Sequence, residues 1–137
     1  VQIPEIDEVT IARLRKAGLR PTRQRRELAH LLFSECTEAM TAEGLHNFAQ
    51  RNGVKVSLAT VYGTLHSFCD VGLVREVSID SRRYFDTNPD NHQYFYFEDE
   101  RRLVAVSQAE PGFQVMPPLP EGRKISRVDV VVRLRRD

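Results

Sequence analysis

Tryptophan is absent from this chain of 137 residues, and cysteine and methionine occur only twice each. The two cysteines, Cys36 and Cys69, form no CxxC pair and no framework of spacings. That removes a disulfide scaffold and a four-ligand thiolate zinc site, and a reduced, cytosolic chain is the expectation that fits. No apolar run approaches the roughly 18 residues a membrane span requires. Acids at Glu5 and Asp7 precede any apolar stretch, unlike a secretory signal. The common catalytic motifs are missing too: there is no glycine-rich phosphate loop, no GxSxG, no HExxH, and no Cys or Ser with an evident base partner. An enzyme is therefore not expected. Nor is there an excess of one charge, since 20 Lys and Arg against 19 Asp and Glu leave a net charge of +1.

What is present is distribution. With 41% hydrophobic and 28% charged residues, the composition is that of an ordinary globular chain, one domain or a small domain with an appendage. Between Arg13 and Arg26 stand seven basic residues and no acid. Such a stretch attracts phosphate even on a near-neutral chain, because exposed charges are screened beyond about 8–10 Å. Taken alone it is equally a solvated helix face.

Helix signals follow in order. Ile6, Val9, Leu14 and Ala17 fall near helical spacing over residues 6–17, and Gly18 ends the run. Pro21-Thr22 opens a second helix with an inner stripe of Leu28, Leu31 and Leu32. Its first turns are basic, which opposes the helix dipole, so helix stability does not account for those arginines. Thr41 caps a third helix with Leu45, Phe48 and Ala49 inward, stopped at Asn52-Gly53. Ser57 caps a fourth that runs to about Val71 and stops at Gly72. Then Leu73–Ile79 and Tyr84–Asp86 read as a hairpin around a polar turn, Asp80 to Arg83. Helices followed by a hairpin is the order of a winged helix-turn-helix.

The fourth helix, Ser57 to Phe68, is the expected recognition helix. Leu58, Val61, Leu65 and Phe68 form its inner stripe. Ala59, Thr60, Gly63 and Ser67 point away from that stripe, with Tyr62 and His66 on the flanks. Solvent-facing helices normally carry Lys, Glu or Arg; small uncharged groups suit close approach to base edges in the major groove. A buried helix packed against another would carry the same small residues. For a DNA reader, Ala59 and Tyr62 meet thymine methyls, while Thr60 and Ser67 bond phosphates or bases. Arg20 reaches a narrow minor groove, and Thr22, Arg23, Gln24 and Arg25 donate to the phosphate backbone. The wing would touch the backbone through a tip of Ser81, Arg82 and Arg83.

Beyond Thr87 the character changes. Asn88-Pro89-Asp90-Asn91 is dense in turn residues. The expected division is a winged-helix domain over 1–86, a hinge at 87–91 and a second domain over 92–137. In the second, His92–Phe97, Leu103–Val106 and Arg127–Leu134 read as strands, and Val128, Val130, Val132 and Leu134 alternate as one buried face. About 50 residues hold a poor core unaided, so a homodimer is expected. The fold class is then α+β: an N-terminal winged helix-turn-helix followed by a small α/β dimerisation domain.

Gly18-Leu19-Arg20-Pro21-Thr22-Arg23-Gln24-Arg25, Thr41-Ala42-Glu43, Ser57-Leu58-Ala59-Thr60-Val61-Tyr62 and Tyr84-Phe85-Asp86-Thr87-Asn88 resemble the ferric uptake regulator family. The ending, Leu119-Pro120-Glu121-Gly122 with Val128 to Arg136, is similar to its iron response regulator branch. The resemblance implies a dimeric bacterial repressor or activator that reads double-stranded DNA at AT-rich, roughly palindromic operators near iron and haem genes. It also implies a regulatory divalent metal or haem. Relatives carry a histidine-rich site at the hinge, whereas here Asn91-His92-Gln93-Tyr94 leaves His92, with Asp86, as candidate metal ligands. Ala39 stands where relatives often have His, no Cys-Pro haem motif exists, and Gly63 replaces the Arg or Asn that commonly follows the tyrosine. His30, His46 and His66 are assigned to packing, solvent or DNA. The rival reading is a haem or metal sensor that works mainly through protein contacts, with weak DNA binding.

Overall fold

The computed structural model describes residues 8–106 and 117–137, which divide into two compact units between Pro89 and Asp90. The first unit runs α1 (Glu8–Lys16), α2 (Arg23–His30), a π-type turn (Leu31–Glu35), α3 (Ala42–Arg51), α4 (Leu58–Asp70), β1 (Arg75–Ile79) and β2 (Arg82–Asp86). The second holds β3 (Gln93–Phe97), β4 (Arg102–Ala105) and β5 (Val130–Leu134). This is an α+β chain in which the helices precede a hairpin and a separate three-stranded sheet follows. Among the described residues no helix is long and apolar enough to cross a membrane.

Three of the helices start where a side-chain oxygen satisfies a backbone donor that helix geometry leaves open. Thr22 accepts from the Arg25 N–H (3.4 Å), Thr41 from Gly44 (3.0 Å) and Ser57 from Thr60 (3.0 Å). At the end of α4 the Leu73 N–H reaches the Phe68 carbonyl (2.9 Å) and the Gly72 N–H reaches Cys69 (3.1 Å). Gly72 takes φ +77° there, a left-handed backbone that a residue without Cβ adopts at least cost.

The core of the first unit gathers Leu14, Leu28, Leu32, Leu45, Val61, Leu65 and Phe68, all at most 1% exposed. Phe33 tilts against Phe68 with ring centroids 6.5 Å apart, and the Arg13 guanidinium lies 4.4 Å over the Phe33 ring. Arg13 thus covers an aromatic face, and part of the basic stretch is structural. In α1 the buried partner of Leu14 is Thr10, one turn earlier, while Val9 is 67% exposed. At 100° per residue Val9 falls well off the Leu14 meridian. Ala17 is half-buried, and Ile6 lies outside the described residues.

β1 and β2 pair antiparallel, from Arg75↔Asp86 to Ile79↔Arg82. The turn between them is two residues, Asp80 and Ser81, at φ +50° and +67°. Such a turn matches the right-handed twist of the strands it joins. Arg82 and Arg83 therefore lie in β2, not at the tip where the sequence expectation put them. Behind them, Met40 and Phe85 exchange both backbone hydrogen bonds, at 3.0 and 2.7 Å. That bridge fastens the hairpin to the residue just before the α3 cap.

In the second unit the strand order is β4-β3-β5, with β3 antiparallel to β4 and parallel to β5. Tyr94 and Tyr96 are buried. Within one chain the side expected to be buried is only partly covered: Val132, paired with Phe95, is 45% exposed and Phe95 is 38% exposed. Val130 and Leu134 on the same side are half-buried. Alternation with period two tells which residues share a face, not which face is covered.

Phe68→Ala should cost about 3–5 kcal/mol in urea unfolding, since a fully buried ring leaves a cavity among several elements. Ser57→Ala should cost about 1 kcal/mol through the lost cap, and Val9→Ala should stay within about 0.5 kcal/mol.

Candidate nucleic-acid interface

Helix α4 presents two unlike faces. Val61, Thr64, Leu65 and Phe68 are buried, and Leu58 packs against them from the edge. Ala59, Tyr62, Gly63 and His66 are exposed, while Thr60 and Ser67 are half-buried at the flanks. Tyr62 and His66 thus belong to the outward face itself, where the sequence reading had them on the flanks. Its first charge arrives only at the last residue, Asp70, 3.8 Å from His66 with both side chains mostly exposed. The helix is not enclosed by others, so interior packing does not account for its small residues.

Gly63 stands in the middle of this surface. A methyl group built there meets nothing within 4 Å. The glycine is therefore not required by the fold, and it weakens the helix by roughly 0.5–1 kcal/mol relative to alanine. Gly63→Ala should raise stability by about that amount in urea unfolding.

The structure brings the wing to one end of this face. Tyr62 Oη donates to Glu43 Oε2 at 2.7 Å. Thr41, Glu43, Tyr62, Ser81, Arg82 and Arg83 line a cleft of about 550 Å³. The Tyr62 bond, aided by bonding within Glu43 itself and by Arg82, holds the Glu43 carboxyl below the usual range, and it raises Tyr62 above the ordinary phenol value. At neutral pH the pair is therefore a carboxylate accepting from a neutral phenol. Arg83 is exposed, and Arg82 is half-buried with its Nε unpartnered. The part of Glu43 in this cleft was invisible to sequence reasoning. Nothing local marks a contact formed across 19 residues.

The other basic group holds itself together before α2. The Thr22 N–H bonds the Arg20 carbonyl (2.8 Å), and Arg25 donates to that same carbonyl from Nη1 (3.1 Å). Arg23 pairs with Glu27 through Nε (3.2 Å) while its side chain stays 84% exposed. Arg20, Thr22 and Gln24 are exposed. Arg25 thus shapes the turn, whereas Arg20 and Arg23 turn outward.

The two candidate metal ligands belong to different units. Asp86 is buried and accepts the Asn88 N–H at 3.0 Å. His92 is exposed and belongs to the second unit. Among the described residues no group of three or more His, Cys, Asp or Glu is placed to hold a metal. All four histidines and both cysteines lie within the described residues. His46 is committed, donating through Nε2 to the Val56 carbonyl at 3.1 Å. Burial pushes the Cys36 and Cys69 thiols up to about 11, with nearby acids adding to it. A metal-bound thiol must be deprotonated, so these environments oppose ligation. The donors among the described residues do not fit a regulatory metal. Because only the thiolate reacts, iodoacetamide at pH 8 should label the native chain roughly 100-fold more slowly than a free thiol, rising about tenfold per pH unit towards 11.

Comparison with known proteins agrees with this geometry. The ferric uptake regulator family pattern matches residues 16–109. The peroxide-responsive repressor PerR of Staphylococcus aureus is 35% identical over 108 residues, covering 76% of this chain and 72% of that protein. Among solved structures, the ferric uptake regulator of Pseudomonas aeruginosa with manganese superposes with a TM-score of 0.71 at 25% identity, covering 93% of this chain and 98% of that one. That of Vibrio cholerae also gives 0.71, at 18% identity, covering 90% and 97%. This chain belongs to the ferric uptake regulator family, whose members are transcription regulators and not enzymes.

Proposed function

We propose that the chain is a dimeric, cytoplasmic repressor or activator of the iron response regulator branch, reading AT-rich, roughly palindromic operators near iron or haem genes. The observation that carries the DNA reading is the exposed, nearly uncharged face of α4, with the wing arginines gathered at one end. Ala59, Tyr62, Gly63 and His66 face the bases in this reading, with Ser57, Thr60 and Ser67 at the rim. Arg20, Thr22, Arg23, Gln24 and Arg25 hold the phosphates on one side, and Arg82 and Arg83 hold them on the other. The open side of the second sheet, with Phe95 and Val132 exposed, favours a second copy as partner. Support for the branch is the ending Leu119-Pro120-Glu121-Gly122 with Val128 to Arg136. Gly63 offers no side chain to a base, so the operator differs from that of relatives with Arg or Asn there.

The test is selection from random duplexes, followed by anisotropy titrations across salt. The expected product is a two-fold, AT-rich box, whose symmetry also reports the dimer. The affinity should fall with salt by about 0.9 log units per log unit for each neutralised phosphate, and Arg20→Ala and Arg83→Ala should each shallow that slope by about one. No enrichment over the input pool would sink the reading.

A further inference from the structure

A carboxylate lines the cleft where the recognition helix meets the wing, and a DNA backbone would repel it. Glu43 is exposed, on the first turn of α3, and is bonded to Tyr62 of α4 at 2.7 Å beside Arg82 and Arg83 of β2. Helix stability accounts for an acid at that place only weakly, by a few tenths to one kcal/mol. Three consequences follow from the geometry. The phenol hydrogen of Tyr62 is already donated, so Tyr62 cannot donate to a phosphate and offers its ring and an oxygen lone pair instead. The ring is held before any partner arrives, so less rotamer freedom is lost on binding. Finally, the negative charge offsets part of the arginine attraction for phosphate, which is the sequence-independent part of affinity.

On the reading of α4 as the DNA-reading helix, we propose that Glu43 is a positioning and specificity-determining residue. Its carboxylate fixes the Tyr62 ring towards the bases, which sets discrimination, and offsets the grip of the wing arginines on phosphate, which lowers affinity for every sequence alike. The two effects separate by substitution. Glu43→Gln keeps an acceptor for the phenol and removes the charge. Glu43→Ala removes both, and Tyr62→Phe removes the bond while leaving the charge.

The experiment titrates the full chain and its variants against the selected box and a scrambled duplex of equal length and composition, over a range of salt. Melting curves confirm that each variant is folded. E43Q should bind both duplexes several-fold more tightly, steepen the salt slope by about one and leave the box-to-scramble ratio unchanged. E43A should tighten binding to the scramble alike but lower the ratio about tenfold, within the range of one mismatched base pair. Y62F should lower the ratio by a similar factor and leave the scramble affinity unchanged. The E43A/Y62F pair should lower the ratio no further than either alone, because the two residues act as one unit. An E43A ratio within twofold of the unsubstituted chain overturns the proposal, as do multiplicative losses in the pair or an E43Q salt slope equal to that of the unsubstituted chain. An unsubstituted chain that binds box and scramble equally overturns the DNA reading and this role with it, whereas discrimination untouched by E43A overturns the role of Glu43 alone.

Discussion

The pair of hydrogen bonds exchanged by Met40 and Phe85 is the constraint on which the candidate interface depends. A two-stranded hairpin alone is marginal in water. Here its second strand gains a backbone partner, and the Phe85 side chain enters the core with Leu45 and Phe68. Met40 immediately precedes Thr41, the cap of α3, so the same bridge sets the start of that helix beside β2. Glu43, Arg82 and Arg83 come together for this reason, and Tyr62 closes the group from α4. The wing is a fixed wall of the cleft rather than an appended loop.

Helix α4 shows how stability and recognition divide one element. Burial of Val61, Leu65 and Phe68, with the Ser57 cap and the Gly72 stop, accounts for its place in the core. None of the three buried side chains faces outward. The outward face gives up helix propensity at Gly63 and, apart from His66 beside Asp70, carries none of the ion pairs that usually decorate an exposed helix. Charge is displaced to neighbouring elements, with arginine at the turn before α2 and in β2. In the proposed DNA reading, phosphate binding and base reading are then carried by different parts of the surface.

Two features of this chain bear on its switch and on its partner. Its histidines are scattered, one bonded to a backbone carbonyl and one paired on the outward face of α4, and its thiols are held in neutral form by burial. A metal switch needs donors gathered at one point. The second unit keeps an apolar side of its sheet open, with Phe95 and Val132 aligned in adjacent parallel strands. A surface of that kind loses water when another apolar surface covers it, and the gain grows with the area covered.

Much of the first unit was legible in the amino-acid order, because helix periodicity, caps and glycine stops act over three to five residues. Thr22, Thr41 and Ser57 start helices, Gly72 ends one, and Val61, Leu65 and Phe68 face inward, all as local chemistry implies. Where the local rule was stretched, at Val9 in α1 or at Arg82 and Arg83 beside the hairpin turn, helical phase and strand twist decided otherwise. Long-range placement was not in the order of residues at all. That Tyr62 meets Glu43, that Met40 pairs with Phe85, and that the valine side of β5 stays open depend on how distant segments pack and on which face finds cover. Period and capping are properties of a few consecutive residues, whereas coverage and convergence are properties of the whole packed chain.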